Sequence, residues 1–203
     1  MLNDVSVFNI REYLSNQDDG VLGEEALKEV LSEFLCEKNA DVERFFKEQS
    51  IEFTKKNQSV TYLVVTNDDA TLVGYFTLAI KPINVNADNF SNTMKKKIAR
   101  VSELDPINGT YTLSAYLIAQ LGKNYTDNAN ERITGEQLLQ AAIDTIKKLQ
   151  YMAGGMVIFL EAEDNEKLLD FYENKNGFKR FSTKEVKSGS QDTHMLIQLL
   201  KVM

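Results

Sequence analysis

The segment 156–181, MVIFLEAEDNEKLLDFYENKNGFKRF, constrains the fold of this chain more than any other part of its sequence. It begins with MVIFLEA, a nearly unbroken apolar run that is typical of a strand covered on both faces. An acidic turn and a short helix containing Tyr172 come next, and Gly177 and Phe178 then open another strand. This succession of strand, helix and strand predicts a sheet that packs against helices.

The remaining segments extend the same pattern. Two helices are predicted from EEALKEVLSEFLCE and from DVERFFKEQSIEFTKK, with Asp41 as the N-cap of the second. The runs SVTYLVVT and ATLVGYFTLAI predict a β-hairpin, MKKKIARVSEL a short basic helix, and TYTLSAYLIAQL a further strand. GEQLLQAAIDTIKKLQ has the clearest helical periodicity, and the C-terminal segment predicts a closing hairpin around SGSQD. We therefore expect one domain over residues 1–203, of the α+β (mixed α/β) class, with helices on both faces of a sheet.

Composition limits the classes of function that are possible but does not identify one. The chain of 203 residues has 43% hydrophobic residues and a net charge of −7. No apolar run approaches the roughly 20 residues of a membrane span, and the N-terminus lacks the pattern of a signal peptide. The single cysteine, Cys36, excludes an internal disulfide and favours a cytoplasmic location. His194 has no second histidine or cysteine nearby in the sequence, so no metal site is expected.

A phosphate-binding motif is the first candidate site. In ERITGEQLL, Thr134 and Gln137 form a capping-box pattern at the start of a helix. The free amides of a first helical turn and the helix dipole suit a diphosphate, and Arg132 could add a charged hydrogen bond. A plain helix start after a polar loop explains the same residues, and Glu131 and Glu136 place negative charge there.

Tyr172 is the second candidate. Its position beside Phe171 also fits a structural tyrosine with its hydroxyl at the rim of the core. A phenol with a pKa near 10 is protonated at neutral pH, so Tyr172 could donate a proton to a departing thiolate. Tyr172 by itself does not distinguish the structural role from the catalytic one.

The order of these elements resembles the GNAT superfamily of acetyl-CoA-dependent N-acetyltransferases. VGYFTLAI resembles its central strand, YLIAQLGKN the strand with its acetyl-binding amides, RITGEQLL its pyrophosphate loop, and NEKLLDFYENKNGF its last signature. Three departures stand out: Gln137 replaces a small residue, Leu168 replaces alanine, and one extra residue separates Tyr172 from Gly177. The resemblance implies a mostly antiparallel twisted sheet with a splay between its two central strands.

The resemblance also implies roles for individual residues. Tyr172 would be the catalytic proton donor to CoA, and Asn165 would contact the pantetheine arm. Backbone groups near Leu121 and Lys123 would hold the pantetheine and the thioester carbonyl. No general base is assigned, although Tyr116 with ordered solvent is one route for the amine proton. The remaining cofactor-binding residues form the pyrophosphate loop: Arg132, Ile133, Thr134, Gly135 and Glu136.

Three functions follow from this resemblance. The first is acetyl transfer from acetyl-CoA to a primary amine of a small molecule or protein, in a protein that, like many relatives, could be a homodimer. The second comes from the N-terminal half, which is similar to the toxin-type branch of bacterial toxin–antitoxin pairs, whose members acetylate aminoacyl-tRNA. Lys95, Lys96, Lys97 and Arg100 lie where a tRNA could bind, although such a run is more commonly a solvated helix face and the acidic net charge disfavours tRNA. The third is an inactive CoA-binding or regulatory module.

Overall fold

A computed structural model of the protein describes residues 4–14, 23–188 and 192–203. The helices are α1 (Ile10–Leu14), α2 (Glu24–Ser32), α3 (Ala40–Arg44), α4 (Ser50–Lys55), α5 (Asn92–Ile98), α6 (Gly135–Ala153) and α7 (Glu166–Asp170). The strands are β1 (Val5–Asn9), β2 (Val60–Thr66), β3 (Leu72–Asn86), β4 (Leu104–Asp105), β5 (Thr110–Lys123), β6 (Val157–Glu163), β7 (Lys179–Ser188) and β8 (Asp192–Val202). Within these residues, no helix has the length and apolar character needed to cross a membrane.

The described chain divides into two compact units. The first contains Met1–Ala79 and Ile118–Tyr151, and the second contains Ile80–Leu117 and Met152–Met203. The long strands β3 and β5 each contribute residues to both units.

In the first unit the strand order is β1-β2-β3-β5. β1 pairs antiparallel with β2, and β2 pairs antiparallel with β3. The core of this unit contains Phe34, Phe46 and Tyr75, all buried. Phe46 stacks on Tyr75 with 4.0 Å between ring centroids, and the Tyr75 hydroxyl donates to the Val42 carbonyl at 2.6 Å. This aromatic cluster joins the N-terminal helices to β3.

In the second unit the order is β3-β5-β6-β8-β7, with β4 paired to β5. β8 lies antiparallel between β6 and β7, and β4 is also antiparallel to β5. β6 has the unbroken buried pattern from Val157 to Leu160 that its apolar sequence predicts. The predicted mixed class with a mostly antiparallel sheet is confirmed. The splay, the helices on both faces and the single domain over residues 1–203 stay predictions.

The predicted helices differ from the structure mainly at their ends. The first ends at Ser32 rather than continuing to Glu37, and the second is interrupted by a π-helical turn at Phe45–Gln49. Its N-cap is Asn39, not Asp41, because the Asn39 side chain accepts hydrogen bonds from the Asp41 and Val42 amides. β1 and β4 are additional strands that the sequence did not predict. The final hairpin is present, although the centre of its predicted turn, residues 189–191, lies outside the described residues.

Candidate cofactor-binding and proton-donor residues

The first turn of α6 has the predicted capping box. Gln137 Oε1 accepts from the Thr134 amide at 2.8 Å, and Thr134 Oγ1 accepts from the Gln137 amide at 3.1 Å. The buried side chain of Ile133 anchors the residue before the cap. Within the described part of the chain, the Gly135 and Glu136 amides have no hydrogen-bond partner. The capped turn therefore presents two adjacent N–H donors at the positive end of a helix of 19 residues.

Arg132, the predicted phosphate ligand, is held by acidic side chains. Its Nη2 atom donates to both carboxylate oxygens of Asp68 at 2.7 Å. Its Nη1 atom donates to Asp69 Oδ2 at 2.7 Å and to Thr71 Oγ1 at 2.9 Å. The guanidinium lowers the pKa of Asp69 well below its usual value, with help from Thr66 and Thr71. Its forked donors thus already bind carboxylates in the β2–β3 turn.

Leu121 and Lys123 lie at the end of β5, in the same compact unit as the α6 turn. Burial is the main cause that lowers the pKa of the half-buried Lys123 ammonium, and the charge of Lys38 adds to it. Glu131 acts in the opposite direction. Lys123 therefore lies in a partly desolvated environment at the end of this strand, with one cation and one anion near it.

Asn124 fixes the strand end and was missed by the sequence analysis. It is 6% exposed, and its Oδ1 atom accepts from the Leu35 and Thr126 amides, both at 3.1 Å. Its Nδ2 atom donates to the Leu72 carbonyl at 2.9 Å. Because these partners come from three segments of the first unit, one side chain sets where β5 ends and the loop to Arg132 begins.

Two glycines allow helices to pack closely on the strands: Gly74 faces α6, and Gly122 faces α3. A Cβ atom on Gly74 would lie 2.7 Å from the Gly122 carbonyl oxygen and 3.2 Å from both methyl groups of Leu138. A Cβ atom on Gly122 would lie 2.5 Å from Val42 Cγ1. Leu138 is in the first turns of α6, so the absence of a side chain at Gly74 determines how near the capped turn lies to β3.

Asn165 serves as the N-cap of α7. Its Oδ1 atom accepts from the Lys167 amide at 3.1 Å and the Leu168 amide at 3.2 Å. The predicted pantetheine contact would therefore have to use the Asn165 side-chain amide group or its backbone. Asn165 and Tyr172 both belong to the second compact unit.

Tyr172 lies in a π-helical turn, Phe171–Lys175, that directly follows α7. The residue is 8% exposed, and its ring contacts Phe171 and Phe178 with centroid distances of 5.0 and 5.9 Å. Burial raises the pKa of Tyr172 to about 12. Among the described residues its hydroxyl has no hydrogen-bond partner, in contrast to Tyr75. Tyr172 is thus a buried aromatic residue whose hydroxyl stays protonated and can donate a hydrogen bond.

Tyr116 is the other tyrosine that could take part in proton transfer, and its hydroxyl is already hydrogen-bonded. Its hydroxyl donates a hydrogen bond to the Gly154 carbonyl. Burial also raises the pKa of this phenol, so Tyr116 holds its proton on a backbone acceptor.

Neither the protein-family models nor the curated protein sequences match this chain. Solved structures do match it. AtaT complexed with acetyl-methionyl-tRNAfMet has a TM-score of 0.61 at 15% identity, over 96% of this chain and 94% of that chain. A tyrosine-to-phenylalanine mutant of KacT has a TM-score of 0.62 at 18% identity, over 98% and 95%. A mutant AtaT toxin bound to the C-terminus of the antitoxin AtaR and acetyl-CoA has a TM-score of 0.54 at 15% identity, over 98% and 94%.

The chain has the GNAT fold. This confirms the fold that the four sequence motifs predicted. Because one fold supports many activities, identities this low do not transfer a reaction or the roles of single residues. The roles of Tyr172, Asn165 and the pyrophosphate loop therefore stay predictions in this GNAT-fold protein.

Proposed function

We propose that this protein is an acetyl-CoA-dependent N-acetyltransferase that acts on a primary amine of a small molecule or protein. The observation that carries the proposal is the open first turn of α6, where the Gly135 and Glu136 amides have no partner among the described residues. Two neighbouring N–H groups at a helix N-terminus are a good match for diphosphate oxygens. The negative charge of Glu131 and Glu136 opposes this binding, so the amides must supply most of the attraction.

Tyr172 has the chemistry of a donor to the leaving sulfur. Acetyl-CoA supplies the activated acetyl group, and transfer forms a C–N bond and breaks the C–S bond. A phenol with a pKa of about 12 remains protonated at neutral pH and can donate a hydrogen bond to sulfur. An ordinary thiol has a pKa of about 8.5, so the phenol stabilises a departing thiolate chiefly through that hydrogen bond.

Binding of the cofactor is the first test. We expect acetyl-CoA at a hundred times its dissociation constant to stabilise the folded state by about 2.7 kcal/mol. For a domain of this size, that raises the melting temperature by roughly 5–10 °C in a thermal shift measurement. No shift with millimolar acetyl-CoA or CoA would contradict the proposal.

A proline at the first residue of α6 tests the amide site itself. Proline is well tolerated at this helical position, so Gly135→Pro removes one free N–H while keeping the helix. The matched control is Asn92→Pro, which changes the first residue of α5. We expect Gly135→Pro alone to weaken CoA binding by roughly tenfold or more, measured by calorimetry, since hydrogen bonds to charged groups contribute about 1.5–3 kcal/mol. Equal CoA affinities of the two variants would show that the amides of this turn do not bind CoA.

Aminoacyl-tRNA is a second candidate acceptor, favoured by the surface of α5. Lys96, Lys97 and Arg100 are exposed and have no ion-pair partner within the described residues, whereas Lys95 lies 3.7 Å from Asp88. AtaT, one of the solved structures with this fold, is complexed with acetyl-methionyl-tRNAfMet. Unpaired surface cations are what a phosphate backbone binds, although the net charge of −7 opposes long-range attraction.

Charge reversal separates the two acceptors. We expect Lys96→Glu with Lys97→Glu to weaken tRNA binding and to reduce the slope of log affinity against log salt by about 1.4–1.8, because each of the two lost phosphate contacts contributes about 0.7–0.9. Lys147→Glu with Lys148→Glu on α6 changes the net charge equally and serves as the control. If both double variants bind tRNA alike, α5 is not a tRNA contact and the first acceptor class is favoured.

A further inference from the structure

The acidic turn between β2 and β3 binds both terminal nitrogens of Arg132. Asp68 and Asp69 each accept from a different terminal nitrogen of the guanidinium at 2.7 Å. The contact joins residues 63 and 64 positions apart in the sequence, all within the first compact unit. The Arg132 side chain is 33% exposed, whereas those of Asp68 and Asp69 are 71% and 54% exposed, so water screens these ion pairs and each has the modest strength of a surface pair.

The turn is ordered by hydrogen bonds that do not involve Arg132. Asp69 Oδ1 accepts from Thr66 Oγ1 at 2.7 Å and from Thr71 Oγ1 at 2.8 Å. The Thr71 amide donates to the same carboxylate oxygen at 3.2 Å. Since these bonds orient the Asp69 carboxylate, its second oxygen faces the guanidinium without further ordering of the turn.

Carboxylate and phosphate oxygens use the same donors of an arginine. Both bind the planar fork of terminal N–H groups, usually through two parallel hydrogen bonds. Here Nη1 and Nη2 of Arg132 both donate to aspartates. A diphosphate at the first turn of α6 therefore finds the neighbouring arginine already paired with two anions.

We propose that Asp68 and Asp69 set the affinity of this protein for CoA by competing with the CoA diphosphate for Arg132. The inference rests on the proposed function, because it places the diphosphate at the α6 turn. In this arrangement the acidic pair keeps CoA affinity low, and binding transfers the Arg132 fork from the aspartates to the diphosphate.

The test is the affinity for CoA, measured by isothermal titration calorimetry on the full chain. We expect Asp68→Asn with Asp69→Asn to bind CoA roughly threefold to thirtyfold more tightly than the unaltered protein, which corresponds to the loss of two competing ion pairs. Asp41→Asn with Asp144→Asn is the matched control. It removes two other carboxylates that pair with Arg44 and Lys147, with the same change in net charge.

An arginine variant separates competition from simple repulsion. If the aspartates act by holding Arg132, the two asparagines no longer raise CoA affinity in an Arg132→Gln background, because the side chain for which the aspartates compete is then absent. A gain of equal size in that background, or a gain no larger than that of the control, overturns the competition while leaving the CoA site intact. No heat of CoA binding with any variant, including the unaltered protein, overturns the proposed function and this inference with it.

Discussion

Tyr172→Phe is expected to lower the turnover number for acetyl transfer by roughly tenfold to hundredfold, since a hydrogen bond to a charged group such as the departing thiolate contributes about 1.5–3 kcal/mol. The dissociation constant for acetyl-CoA and the free energy of unfolding should change little. The physical reason is that the Tyr172 hydroxyl has no protein partner among the described residues, while its ring packs against Phe171 and Phe178. Phenylalanine keeps the ring contacts and removes only the donor. Steady-state kinetics with calorimetry measure both effects.

Tyr62→Phe provides the control for removal of a phenol. Tyr62 stacks on Phe76 in the first unit, and burial also raises the pKa of its hydroxyl. We expect this variant to retain normal turnover. If Tyr172→Phe behaves like Tyr62→Phe, the phenol of Tyr172 takes no part in the reaction and Tyr172 is a core residue.

Asn124→Ala is expected to reduce the free energy of unfolding by about 2–5 kcal/mol. The substitution leaves the amides of Leu35 and Thr126 and the carbonyl of Leu72 without their partners. Each buried polar group left unsatisfied costs about 1–3 kcal/mol. Urea denaturation monitored by circular dichroism would measure the loss.

An exposed asparagine gives the comparison. Asn108 donates to Asp105 in the turn before β5, where water can replace the contact. We expect Asn108→Ala to lower stability by less than about 1 kcal/mol. A similarly small loss for Asn124→Ala would show that the strand end does not depend on its hydrogen bonds.

Local sequence patterns predicted the structural features that are determined by residues close together in the chain. The Thr134–Gln137 capping box is a four-residue motif, and both of its hydrogen bonds are present. The apolar run of β6 likewise predicted a buried strand. Asn39 was missed as a cap because Asp41 is an equally good capping residue and lies only two positions further on. β1 was missed because it is an edge strand of only five residues, all partly buried, so the sequence signal is weak.

The contacts that determine the candidate site join distant parts of the chain. Nothing near Arg132 in the sequence indicates that Asp68 and Asp69 bind it, since they lie 64 and 63 positions before it. Asn124 reaches Leu35 across 89 positions. Paired aspartates in a hairpin turn and a polar residue ending an apolar strand were the only local signals, and both also fit ordinary solvent-exposed positions.

The π-helical turn at Phe171–Lys175 lies in the segment between Tyr172 and Gly177, where the sequence has one residue more than the family signature that it resembles. The wider turn keeps continuous bonding into the next strand: the Phe178 amide donates to the Tyr172 carbonyl at 3.0 Å, and Asn176 Nδ2 donates to the Phe171 carbonyl at 2.7 Å. In an α-helix one added residue would rotate every following side chain by about 100° about the axis. Here the wider winding is confined to a single turn, and the rings of Tyr172 and Phe178 on either side of Gly177 pack edge to face.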